Sequence, residues 1–292
     1  MSARHPIIAV TGSSGANRQT VRETFEKLCN RQELLAAYVQ GDGFHRYNRA
    51  QMKNKIAEES EAGNPNFSHF SPDANLFIEQ EKLYRAYGEN GGGQRRFYLH
   101  NWAEAEPFKD QDLKPGEFSP WEDLPVGTDM LVYEGLHGWV SAAGVSLAPH
   151  VDLKIGVVPV INLEWIQKIN RDTGMRGYSE DAVIDTILRR MPDYVHHIVP
   201  QFRHSDINFQ RVPVVDTSDP IIANDVPTVD ESVVVVRFRK PEDFDVDFPW
   251  LLKNLEGSWM SRRNTIVVPG GKMSLAMQMT LTPIIDRMMD AD

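Results

Sequence analysis

The stretch IAVTGSSGANRQTV, residues 8–21, decides the fold. An apolar run stops at a Gly-Ser-Ser-Gly turn, and Val21, Phe25 and Leu28 then follow at helical spacing. A strand, a tight glycine turn and a helix N-terminus aim backbone N–H groups and the positive end of a helix dipole at one spot. This is the layout of a phosphate-binding loop, G-x-x-x-x-G-K-[ST], beginning at Gly12. Gly12, Ser13, Ser14, Gly15 and Ala16 are small enough for close backbone approach to an anion. The second glycine is replaced by Asn17, the lysine by Arg18 and the hydroxyl by Gln19, with Thr20 one position on. Asn tolerates the left-handed region, and Arg18 keeps the charge as a planar fork rather than a point. On these residues alone a nucleotide site and a plain glycine-rich turn both stand.

Outward from the loop, short apolar runs alternate with helical patterns, which predicts an α/β fold around a largely parallel sheet. Strands are expected at 6–10, from Glu33 to near Asp42, 94–100, 129–135, 151–161, 211–217 and 231–239, and NTIVVPGGK (264–272) leads into a closing Met-rich helix. Ser71 and Pro72 read as the cap and first position of a helix running to about Tyr87, and Ser179 caps another over 180–191. Residues 103–128 form an acidic, proline-bearing connection. The chain shows no repeats or long linkers, so a single domain over 1–292 is expected.

The 292 residues suffice for a large core, and 41% hydrophobic with 25% charged residues is ordinary for a globular protein. A formal net charge of -10 argues against nucleic acid or an anionic membrane as main partner, though local arginines can still bind phosphate. Cys29 is the single cysteine, which excludes an internal disulfide and a thiolate-built zinc site. No stretch is apolar enough to span a membrane, and Met1 runs almost directly into the first apolar run. A cytoplasmic location is the expectation.

Three segments carry the chemistry of a phosphoryl-transfer enzyme. QGDGFHRYNR (40–49) sets Asp42, His45 and Arg49 directly after a strand end, suiting a carboxylate that accepts a hydroxyl proton beside cations that hold a phosphate. YEGLHG (133–138) puts Glu134 at the end of an apolar strand, a usual place for an acid that holds magnesium. KINRDTGMRGY (168–178) gathers Lys168, Arg171 and Arg176 around Asp172, with a solvated ion-pair helix as the plain alternative. The VVPGGKMS stretch (267–274) reads as a tight turn, the 57–63 acidic run as a solvated face, and the closing methionines as core or subunit contacts. His196 and His197 lack metal-site spacing.

Together with NFSHF (66–70), YLH (98–100), VVPVINLEWIQK (157–168), ILRRMPDYV (187–195), NFQRVPVVDTS (208–218) and SWMSR (258–262), these motifs resemble bacterial-type phosphoribulokinases over almost the full length. The resemblance implies a P-loop kinase fold with a mixed, largely parallel central sheet, Mg2+ with ATP as co-substrate, and phosphorylation of D-ribulose 5-phosphate at its 1-hydroxyl. It implies that Asp42 is the catalytic base, and that Lys168 and Arg171 stabilise the phosphoryl group in transfer. Asp172 is implied as a second catalytic acid and Glu134 as the metal-associated acid. Arg31, His45, Arg49, Tyr98, His100 and Arg176 match positions that hold the sugar phosphate, and residues 12–20 the ATP loop. Arg190, Arg237 and Arg262 fall where the family has arginines tied to small-molecule effectors. The resemblance further implies a homo-oligomer, an octamer in this branch, and no thiol switch of the plant kind at Cys29. Asn17, Arg18 and Gln19 depart from the family's loop. Two alternatives therefore stay open: a catalytically silent sugar-phosphate or effector-binding relative, and another phosphotransferase of the uridine-kinase kind.

Overall fold

The computed structural model describes residues 5–12, 18–222 and 225–290. Ile7–Gly12 is a strand (β1) and Arg18–Arg31 a helix (α1), the pair expected on either side of the glycine turn. Val21, Phe25 and Leu28 are all buried, as one face of a helix packed on a sheet requires. Ser13, Ser14, Gly15, Ala16 and Asn17 lie outside the described residues. For Arg18, Gln19 and Thr20 only the helical backbone is described.

The other strands of the central sheet are Ala36–Gln40 (β2), Met130–Gly135 (β3), Leu153–Pro159 (β4), Ile207–Pro213 (β5), Ser232–Phe238 (β6), Trp259–Arg262 (β7) and Thr265–Pro269 (β8). Their order in this eight-stranded sheet is β7-β8-β6-β5-β4-β1-β3-β2. The sheet is mixed and largely parallel. β2 runs parallel to β3 and β4 to β5, while β6 is antiparallel to β5 and β8, and β7 to β8. Among the described residues, no helix is long and apolar enough to cross a membrane.

The chain groups into two compact units, one of Met1–Ala9, Leu35–Asp152 and Arg189–Gln201, the other of Val10–Leu34, Leu153–Leu188 and Phe202–Asp292. In the first, helix Arg49–Glu61 (α2) starts at a reciprocal cap between Asn48 and Gln51. Helix Phe77–Asn90 (α3) buries Phe77, Gln80, Leu83, Tyr84 and Tyr87 at intervals of three and four, and packs its apolar ones with Val39, Leu131 and Tyr133. In the second unit, helix Ile161–Arg176 (α4) packs Ile169 on Val183 and Ile187 of helix Glu180–Asp193 (α5). The closing helix Met273–Met289 (α6) buries Met273 and Met277 in the core, as expected of those methionines.

Two local expectations are corrected. Ser71 does not cap a long helix: a single 3-10 turn, Pro72–Ala74, follows it, and α3 begins only at Phe77. The cause lies in the backbone. The Arg46 N–H donates to the Ala74 carbonyl and the Leu76 N–H to the Phe44 carbonyl, each at 2.8 Å, which ties 74–76 to the chain after β2. The Ser71 hydroxyl bonds instead to the Asp193 carboxylate, as does that of Ser68. The 94–100 stretch is strand only at Gln94–Arg95, because Tyr98 makes an isolated bridge to Phe118 rather than a ladder.

Candidate active site

The C-terminal ends of parallel strands are where open α/β sheets place ligands, and β2 and β3 bring two acids there. Gln40 pairs with Glu134 in the register of these strands, and the next residues, Gly41 and Gly135, press together. A Cβ on Gly135 would sit 2.8 Å from the Gly41 Cα, so only glycine permits the approach. Gly41–Phe44 then forms a buried 3-10 turn that presents Asp42.

Asp42 is 7% exposed and lies between two imidazoles, His45 Nε2 at 3.4 Å from one carboxylate oxygen and His100 Nε2 at 3.1 Å from the other. His45 Nδ1 lies 2.9 Å from the Asn75 side-chain oxygen. Tyr98 packs edge-on to His100 and to His45. Arg49 opens α2 and donates to the His100 carbonyl at 3.1 Å. The structure thus brings Asp42, His45, Arg49, Tyr98 and His100 together.

Residues outside that set hold the group. Arg96 donates to the carbonyls of Gly43 (2.7 Å) and His45 (2.6 Å), on both sides of Phe44 in the turn that follows Asp42. Its guanidinium lies 3.8 Å from the centre of the Phe118 ring and 4.9 Å from that of Trp121. Burial pushes the Arg96 pKa down to about 10, which leaves it cationic at neutral pH. His69 lies against His45 with ring centres 4.3 Å apart. Its pKa is held well below the usual histidine value, first by burial and then by the charges of His45 and Arg190. His137, edge-on to Phe77, is likewise pushed down to about 3, chiefly by burial. His69 was legible within NFSHF, but its place beside His45 requires the tertiary fold.

The second cluster sits on α4. Asp172 is 4% exposed and accepts from Lys168 Nζ at 2.5 Å and Arg171 Nε at 2.9 Å. Burial raises its pKa, but the hydrogen bonds and charges of Arg171 and Lys168 outweigh that and hold it below the ordinary value. A solvated surface ion pair is therefore the wrong description of this helix face. Arg176 ends α4, with its side chain outside the described ones, and Arg31 lies exposed in the last turn of α1.

Of the three arginines assigned to effectors, Arg190 lies on α5 with its guanidinium 5.8 Å from the centre of the Phe70 ring. Arg237 on β6 and Arg262 on β7 both pair across to Thr265 of β8, and both are exposed. The Gly270–Lys272 turn is tight, as expected, since a Cβ on Gly270 would meet the Val229 carbonyl oxygen at 2.2 Å. Among the described residues no group of three or more His, Cys, Asp or Glu side chains is placed to hold a metal ion. Magnesium would accordingly need phosphate oxygens and water to complete its shell around Glu134.

The profile of the Phosphoribulokinase / Uridine kinase family matches residues 7–218. The chain belongs to this family. It is 56% identical over 285 residues to the phosphoribulokinase of Nitrobacter vulgaris, covering 98% of this chain and 97% of that one. It is equally 56% identical to phosphoribulokinase 1 of Cereibacter sphaeroides over 287 residues, with 98% and 97% covered. The solved phosphoribulokinase from Rhodobacter spheroides superposes with a TM-score of 0.90 at 53% identity, covering 99% of both chains. That likeness and the mixed, largely parallel sheet agree with a P-loop kinase fold.

Proposed function

We propose that this chain transfers the γ-phosphoryl group of ATP to the 1-hydroxyl of D-ribulose 5-phosphate, giving the 1,5-bisphosphate of Calvin-cycle carbon fixation. The observation that carries the reading is Asp42, a buried carboxylate at the C-terminal end of β2 with an imidazole on each oxygen. In that role it accepts the hydroxyl proton as the sugar oxygen attacks phosphorus and ADP leaves with the bridging electron pair. A positioned base of this kind contributes about 10²–10⁴ in rate. His45, Arg49, Tyr98, His100, Arg31 and Arg176 are assigned to the sugar phosphate, whose dianion suits the arginine forks. Lys168 and Arg171, with Asp172 holding their heads in place, are assigned to the charge of the phosphoryl group in transfer.

ATP is assigned to residues 12–20 and Mg2+ to Glu134. A carboxylate at a strand end fits a magnesium ion carried in on nucleotide phosphates, and when bound the ion would neutralise phosphate charge. We also assign the chain to the cytoplasm, as one domain in a homo-oligomer (an octamer by likeness to its branch), with small-molecule effectors acting through Arg190, Arg237 and Arg262.

Asn17, Arg18 and Gln19 favour a second reading, in which the sugar-phosphate pocket is kept and the grip on ATP is weakened. The test is ADP release with Mg-ATP, with and without ribulose 5-phosphate, beside Asp42→Asn and Asn17→Gly/Arg18→Thr/Gln19→Ser. Sugar-dependent release that vanishes in Asp42→Asn supports the kinase with a tolerated loop. Activity in the restored loop alone supports the second reading. Silence in both refutes the enzyme and leaves a binding protein.

A further inference from the structure

Asn75 is 4% exposed and each of its polar atoms is engaged. Its amide nitrogen donates to the His69 carbonyl at 2.9 Å and to the Ser71 carbonyl at 2.8 Å. Both amide protons are thereby used, and the side-chain oxygen is the atom that faces His45 Nδ1 at 2.9 Å. Reversing the amide would set its oxygen against two carbonyl oxygens, so the chemistry of the neighbours determines the orientation. An amide oxygen only accepts. His45 Nδ1 must therefore carry a proton, and in the neutral ring Nε2 is a bare lone pair. That lone pair points at the carboxylate of Asp42, 3.4 Å away.

We propose that Asn75 is a positioning residue that sets the tautomer of His45 and so makes His45 Nε2 the acceptor for the proton Asp42 collects. The inference rests on Asp42 being the base of the proposed reaction. The sugar O1–H proton passes to the Asp42 carboxylate while O1 forms its bond to phosphorus and the bond to the ADP oxygen breaks. The proton then moves from the Asp42 carboxyl to Nε2, restoring the carboxylate and leaving an imidazolium with both nitrogens protonated. Solvent takes that proton after product leaves. With the opposite tautomer Nε2 would already hold a proton, and His45 could only donate to Asp42.

Other groups around His45 fit this role. His69 lies against its ring with a pKa held down chiefly by burial, so His69 adds no positive charge beside the imidazolium. Tyr98 packs edge-on, His100 reaches the other Asp42 oxygen, and the charge of His45 adds to the burial that holds the His137 pKa down. Arg96 is bonded to the His45 carbonyl, and the charges of Arg189 and Arg190 act on His69.

Two variants separate this from simple bracing. Asn75→Asp and Asn75→Leu both lose the bonds to the His69 and Ser71 carbonyls, but only the aspartate still accepts from Nδ1. A bracing role makes both fall alike. The tautomer role makes Asn75→Leu lose about 10–100-fold in kcat at every pH, with the KM for ATP unchanged. Asn75→Asp should retain kcat at alkaline pH and move the acid limb of its profile upward, because a second carboxylate favours the imidazolium. Equal loss in the two variants across the pH range overturns the proposal. Nitrogen-15 NMR of histidine-labelled full-length protein gives a readout that needs no turnover, with the His45 signal assigned from its absence in His45→Gln. A protonated Nδ1 and bare Nε2 in the parent, lost in Asn75→Leu, supports the tautomer assignment even if the parent proves inactive. A protonated Nε2 in the neutral parent ring refutes it.

Discussion

Replacing Arg96 by methionine tests whether the turn that carries Asp42 is held from outside. Arg96 spans the carbonyls of Gly43 and His45 with two charged hydrogen bonds, and its guanidinium lies over Phe118 and Trp121. Bonds from a charged donor are worth about 1.5–3 kcal/mol each, and the ring contacts add roughly 0.5–2 kcal/mol. Methionine keeps the length and packing of the stem but none of these terms. Arg96 is half-buried, so water recovers part of the loss and the net cost should be about 2–4 kcal/mol. At about 2–4 °C per kcal/mol this lowers Tm by roughly 4–16 °C.

Activity should respond more steeply than stability, since the two carbonyls belong to the turn that presents the proposed base and to the residue that ends it. A displacement of about 1 Å in such a group costs on the order of 10² in rate. Steady-state kinetics should therefore show kcat down by about 10–100-fold for Arg96→Met, with the KM for ATP held. Arg96→Lys should fall between, because an ammonium is a point donor that cannot fork to two carbonyls or lie flat on a ring. If Arg96→Met loses stability as expected but keeps kcat within about threefold of the parent, the clasp does not position Asp42.

Asp172→Asn should cost about 1–3 kcal/mol, because Lys168 and Arg171 keep their charges with only a neutral acceptor between them. Asp172 has a lowered pKa in the fold, so its pair stabilises above the ordinary value near 3.8 and that contribution is lost as pH falls through the folded value. Chemical denaturation at pH 3 to 6 should show this acid loss in the parent and a flatter profile in Asp172→Asn. Gly43→Ala would place a Cβ 2.1 Å from the Arg96 carbonyl oxygen, a backbone atom that cannot rotate away. It should cost about 1–3 kcal/mol and at least about tenfold in kcat, read by thermal melts and ADP release; an alanine variant with parental kcat would show that the turn adapts.

Local rules reach some of these features and not others. The alternation of apolar runs with helical spacing was enough for an α/β sheet, because burying one face of a strand or helix leaves a period that can be read along the chain. The placement of Asp42 and Glu134 at or just after strand ends was equally legible, and parallel pairing of β2 with β3 then necessarily sets them at the same end of the sheet. Asp172 between Lys168 and Arg171 follows from helical geometry alone, but its burial does not, since spacing says nothing of what covers a face. Ser71 and Asn75 show the limit most clearly. Ser-Pro-Asp-Ala-Asn satisfies the local rules for a helix start, yet backbone bonds from residues 44–46 claim 74–76 and a distant carboxylate claims the serine hydroxyl. Long-range hydrogen bonds of this kind carry no period along the chain. The same holds for Arg96, read as part of a strand until its guanidinium is seen closing on two carbonyls some fifty residues away. Candidate residues for the chemistry were legible in the chain; what orients them was decided by contacts between segments that only the folded backbone brings together.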